Sequence, residues 1–158
     1  MHIDILPIDH RSDLLTPSCG ELERQLSQKI QTLYKQHLGQ RPTRVTCHLF
    51  GQELAIIIES STTQIEQLLS CQGASGLSSE VSRAVNQRLK QDITRLIESI
   101  LQIGVQGILI DTSIELERTG IIALLAETPT VRNPELVPKT SAYKQARKRR
   151  LRAIDRHG

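Results

Sequence analysis

Two short runs, LAIII (Leu54 to Ile58) and IIALLA (Ile121 to Ala126), are apolar at every position. A strand with one face in water alternates apolar with polar, so runs like these belong to strands in the middle of a sheet, covered on both faces. Each has a partner strand before it. Val45, Cys47 and Leu49 alternate with Thr46 and His48, and Gly51-Gln52 fits a hairpin turn before the first run. Val105 to Asp111 stands in the same relation to a strand over Thr119 to Glu127.

A helical pattern precedes each hairpin. Ser18 opens one in which Leu22, Leu26, Ile30, Leu33, Tyr34, His37 and Leu38 share a face. Glu21 and Glu23 suit its positive end and Gly39 its termination, while Pro42 prevents continuation. A long helix over about Ser78 to Ile103 carries Val81, Val85, Leu89, Ile93, Leu96, Ile97, Ile100 and Leu101 as its stripe, with Gly104 as its stop. Between the units, Thr63-Gln-Ile-Glu66 is a capping box for a short helix running to about Cys71. Helix–strand–strand therefore occurs twice. The expected fold is α+β: a four-stranded antiparallel sheet, second and fourth strands central, with helices on one face.

The organisation reads as an N-terminal arm (1–18), one domain (19–128), a Pro-containing linker (129–138) and a basic tail (139–158). At 158 residues the chain can bury a core without disulfides or metals. Aromatic residues number only three (Tyr34, Phe50 and Tyr143), which leaves little on which to stack bases or sugars. The N-terminus lacks the basic region of a secretory signal, and the longest apolar run is far too short to span a membrane. Cys19, Cys47 and Cys71 are odd in number and have no metal-type spacing, so free thiols in a reducing cytoplasm are expected.

Charge is unevenly placed. Residues 1–138 hold 12 Lys/Arg against 16 Asp/Glu, a net of −4, and residues 139–158 hold 8 against one, a net of +7. Lys144, Arg147, Lys148, Arg149, Arg150 and Arg152 are the candidate binding residues, for nucleic acid, an anionic membrane surface or an acidic protein partner.

Other candidates read as structural. The Gly39-Gln40-Arg41-Pro42 turn follows a helix rather than a strand, so it is not a phosphate loop. Cys47 and His48 are adjacent on a strand and face opposite sides, and no histidine has a partner at ligand spacing. Cys71 reads as a plain thiol at a helix end, Arg88 and Asp92 as a surface pair four residues apart, and Asp111, Glu115 and Glu117 as solvated turn residues. No nucleophile–base or paired-carboxylate pattern is present, and no metal or cofactor is implied.

A helix, then Gly39-Gln40-Arg41-Pro42, a hairpin, Thr63-x-x-Glu66-x-x-Leu69, a long helix, Gly104-Val105 and a strand reaching Asp111: this order resembles the MpsC family over about residues 21–127. The family turn reads Gly-x-Gly-Pro, and Arg41 stands at its second glycine. The resemblance implies a soluble accessory protein near membrane ion or bicarbonate transport, and it brings no catalytic residues. The leading expectation is a non-enzymatic, cytoplasmic, homodimeric binding protein. A nucleic-acid binder acting through its tail is the first alternative, and an enzyme with a site assembled only in three dimensions is the second.

Overall fold

A computed structural model describes residues 15–138; residues 1–14 and 139–158, which carry most of the arm and all of the basic tail, lie outside the described residues. Helix α1 (Cys19–Leu38) starts with a reciprocal cap. The Glu21 N–H donates to Ser18 Oγ at 3.2 Å, and the Ser18 N–H donates to the Glu21 carboxylate at 2.8 Å. This satisfies two donors that a helix start leaves unpaired. Leu22, Leu26, Ile30 and Tyr34 form its buried stripe. Gly39 ends the helix at φ 68, its N–H donating to the Lys35 carbonyl at 3.0 Å, a conformation that suits a residue without Cβ.

The chain continues through β1 (Arg44–Phe50), β2 (Glu53–Glu59), α2 (Gln64–Cys71), α3 (Ser75–Leu101), β3 (Val105–Ser113), β4 (Arg118–Leu125) and a 3-10 turn at Pro134–Leu136. The strands form one antiparallel sheet in the order β1-β2-β4-β3, so the two apolar runs do take its centre. Helix α1 rests on β1, α3 on β3, and both α1 and α2 pack against α3. Rows of side chains cross the helix-covered face: Cys47, Ile56, Ile121 and Ile110 in one, Leu49, Leu54, Ala123 and Ile108 in the next. With Leu89, Ile93 and Ile97 above them, they make the core.

Three details differ from expectation. Helix α3 ends at Leu101, with Gln102 rather than Gly104 in the left-handed conformation, at φ 57. Gly104 instead begins the connection to β3, its carbonyl accepting from the Ala126 N–H at 2.9 Å. Strand β3 continues past Asp111 to Ser113, and β4 begins at Arg118 and stops at Leu125. The segment expected as a linker is tied to the body: Val131 and Val137 are buried against the core, the Arg132 N–H donates to the Pro17 carbonyl at 3.0 Å, and the Cys19 N–H donates to Asn133 Oδ1 at 2.9 Å.

Candidate functional site

The largest departure from the sequence pattern lies on α3. Its buried face begins polar, with Ser78, Ser82 and Asn86, and turns apolar at Leu89, Ile93, Ile97 and Leu101. Val81 and Val85, expected in the stripe, sit half-buried beside it. Burying hydroxyls and amides is favourable only if they are paired. Glu66, 2% exposed, supplies much of that pairing. Its carbonyl accepts from Ser78 Oγ at 2.9 Å and its carboxyl from Ser82 Oγ, while the same carboxyl closes the α2 capping box on the Thr63 N–H. Asn86 exchanges hydrogen bonds with Thr112, at 3.0 and 3.3 Å. The Thr112 hydroxyl meets Thr119 at 2.8 Å, and Thr119 meets Ser61 at 2.7 Å. The Tyr34 hydroxyl is buried and meets no hydrogen-bond partner among the described residues, and burial holds its pKa well above the usual phenol range.

Helix α2 is thus turned inside out. Its buried residue is Glu66, whereas Ile65 and Leu68 are exposed, as is Leu77 at the start of α3.

The sheet face away from the helices is a second candidate. Strand parity places Ile57 and Ala55 of β2 beside Gly120 and Ile122 of β4, with Leu109 and Leu124 next to them. Ile57, Leu109 and Leu124 are 44, 65 and 39% exposed. The surroundings of this patch are polar. Glu59 lies between Arg44 and Arg118, at 4.0 and 3.3 Å, across one end. Thr46 and His48 line one edge and Asp111 and Ser113 the other.

A cleft of about 750 Å³ runs between α3 and β3. Ser82, Arg83, Asn86 and Lys90 form its helix wall, and Leu109 to Thr112 its strand wall.

The sequence candidates divide between these places and plain structural roles. Thr63 and Glu66 enter the buried network. Gly39, Arg41 and Pro42 make the helix-to-hairpin joint, where Pro42 is buried and Arg41 donates to Gln31 Oε1 at 3.2 Å. Arg41 is not among the residues of positive φ, so the position needs no glycine. Asp92 pairs with His37 of α1 at 3.5 Å rather than with Arg88. Asp111, exposed, accepts from the Thr112 N–H at 2.9 Å. Cys71 is exposed, whereas burial, with a smaller contribution from the nearby Glu23 carboxylate, pushes the Cys19 and Cys47 thiols up to about 11; both are protonated at neutral pH. Among the described residues no three His, Cys, Asp or Glu side chains gather as a metal site, and no helix is long and apolar enough to cross a membrane.

With helix–strand–strand found twice and the Thr63–Glu66 box in place, the family comparison becomes decisive. The family model described as "Na+-translocating membrane potential-generating system (MpsC)" matches residues 18–127. The chain belongs to the MpsC family. No curated protein and no solved structure matches it. The MpsC match starts at the α1 cap and stops just after β4, so among the described residues it covers the sheet, helices α1 to α3, the open face and the α3–β3 cleft. The docked segment around Val131 and Val137 and the basic tail lie beyond it.

Proposed function

We propose that this chain works by binding rather than catalysis, as a cytoplasmic, self-associating accessory component of a membrane ion-transport system. The family description supports the process, and the open sheet face carries the proposal of self-association. An apolar centre with a polar rim is the layout of a protein interface. The central four residues also alternate in size: Ile57 lies diagonal to Ile122, and Ala55 diagonal to Gly120. Stacking two such faces about a twofold axis in the plane of the sheet, along or across the strands, sets each isoleucine over an alanine or glycine of the other copy. A self-complementary patch of this kind is what a twofold dimer requires. Sedimentation of the full chain at micromolar concentration should give a dimer. The Ile57→Glu/Leu124→Glu variant should sediment as a monomer with an unchanged circular dichroism spectrum. A monomeric wild-type chain would overturn the proposal, as it would if residues of the arm covered this face.

A second reading rests on the net charge of +7 over residues 139–158. In it the chain is a nucleic-acid-associated protein that binds through the tail. Affinity for duplex DNA, structured RNA and anionic vesicles should fall steeply with salt, and should drop when Lys144, Arg147, Lys148, Arg149, Arg150 and Arg152 are all replaced by glutamine. Equal affinity of the two proteins at low salt removes this reading, and binding to vesicles alone replaces nucleic acid with a membrane surface.

A further inference from the structure

The helix wall of the α3–β3 cleft is rich in hydrogen-bond donors. Arg83, exposed, and Lys90, half-buried, both line it, and neither makes an ion pair among the described residues. They stand seven residues apart, close to two full turns. They therefore share one face of α3, with about 10.5 Å of helix between them. Buried Asn86 lies between the two. It gives an amide hydrogen to Thr112 at 3.0 Å and has a second to offer.

The strand wall is of the opposite character. Asp111 is exposed there, and one of its carboxylate oxygens accepts the Thr112 N–H at 2.9 Å. A carboxylate only accepts, so its other oxygen calls for a donor and repels an anion. Ile108, Leu109 and Ile110 add hydrocarbon to the same wall. Each feature narrows the occupant. A monoanion balances only one of the two cations. A phosphate monoester carries nearly two negative charges at neutral pH and offers three acceptor oxygens, which arginine meets with paired hydrogen bonds. Asp111 then demands hydroxyl groups on the same molecule. No aromatic side chain lines the cleft, so a nucleobase finds nothing to stack on. The volume, about 750 Å³, lies in the range of small-molecule sites.

We infer that this cleft binds a phosphorylated polyol, of which a sugar phosphate is the simplest kind. Arg83 and Lys90 close on the phosphate from either side of the Asn86 amide, and Asp111 accepts from the hydroxyl groups. The site is continuous with the open sheet face, because Leu109, Asp111, Gly120 and Ile122 belong to both. Binding does not require the proposed dimer, since one copy supplies both the cations and the acceptor.

Titration of the full chain with glucose 6-phosphate, inorganic phosphate and glucose, followed by NMR, tests this. Glucose 6-phosphate should move the Asn86 side-chain amide signals and saturate with a Kd of about 1 mM or tighter. Arg83→Gln/Lys90→Gln should bind it about tenfold or more weakly, through loss of the charge-assisted hydrogen bonds. Asp111→Asn should weaken glucose 6-phosphate by about fivefold and leave inorganic phosphate unaffected, as expected of a hydroxyl contact. No movement at Asn86 at about 10 mM ligand overturns the inference, as does equal binding by Arg83→Gln/Lys90→Gln. Inorganic phosphate binding as tightly as glucose 6-phosphate would reduce the cleft to an anion site and also overturn it. The Ile57→Glu/Leu124→Glu variant separates this from self-association. Binding like that of the wild type supports the cleft site even if both proteins are monomers, and binding by the wild type alone would place the ligand between copies and overturn it.

Discussion

Replacing Glu66 by alanine should lower the unfolding free energy by about 3–4 kcal/mol, at the upper end for a single polar side chain. The loss has two parts. The Ser82 hydroxyl and the Thr63 N–H lose their acceptor, one of them deep between α2 and α3. An unpaired buried polar group costs about 1–3 kcal/mol. The capping box also opens, which takes about 1 kcal/mol from a helix only eight residues long. Ser82→Ala removes the hydroxyl but leaves Thr63 paired, so it should cost less, and the double variant should cost less than the two single losses added. Urea denaturation of the four proteins measures this. A Glu66→Ala loss under about 1 kcal/mol, or strict additivity, would show that the carboxyl does not organise the network.

Ile56→Ala should cost about 3 kcal/mol, the usual range for truncating a fully buried branched side chain. Ile56 has no exposed surface and sits in the row with Cys47 and Ile121, beneath the helices. Its neighbour Ile57 points the other way and is 44% exposed. Ile57→Ala should therefore cost about 1 kcal/mol or less when unfolding is followed in the Leu124→Glu background, where the dimer contact is weakened. A thermal or urea series on these variants distinguishes the two faces directly. Equal losses at both positions would contradict the assignment of the helix-covered side.

Much of the scaffold is legible because its signals are local. The caps at Ser18, Gly39 and the Thr63–Glu66 box act within four residues, and the alternation of Val45, Cys47 and Leu49 states which face is inward. The unbroken apolar run at 54–58 marks a central strand for the same reason. Its partly exposed Ile57 shows that central and covered are separate properties, since helices occupy one side only. The polar face of α3 was hidden by Val81 and Val85, which offer a plausible stripe one position away from Ser82 and Asn86. What makes burial of Ser78, Ser82 and Asn86 tolerable is Glu66 and Thr112, 12 to 26 residues distant, and no spacing rule pairs them. The α3–β3 cleft needed the strand order as well as the strands. Gly104 misled because a glycine near a helix end resembles a cap, whereas Gln102 accepts the left-handed conformation itself.

The tie between Arg132 and Pro17 has a mechanical meaning. Together with Asn133 on the Cys19 N–H and the Arg132–Glu21 pair at 3.4 Å, it clasps the two ends of the folded body to each other. Tension applied through the C-terminal residues meets the buried Val137 first and then this clasp, before it reaches the hydrogen bonds between strands. A pull on this end is therefore taken up by Val137, Val131 and three polar contacts, while the sheet remains unloaded.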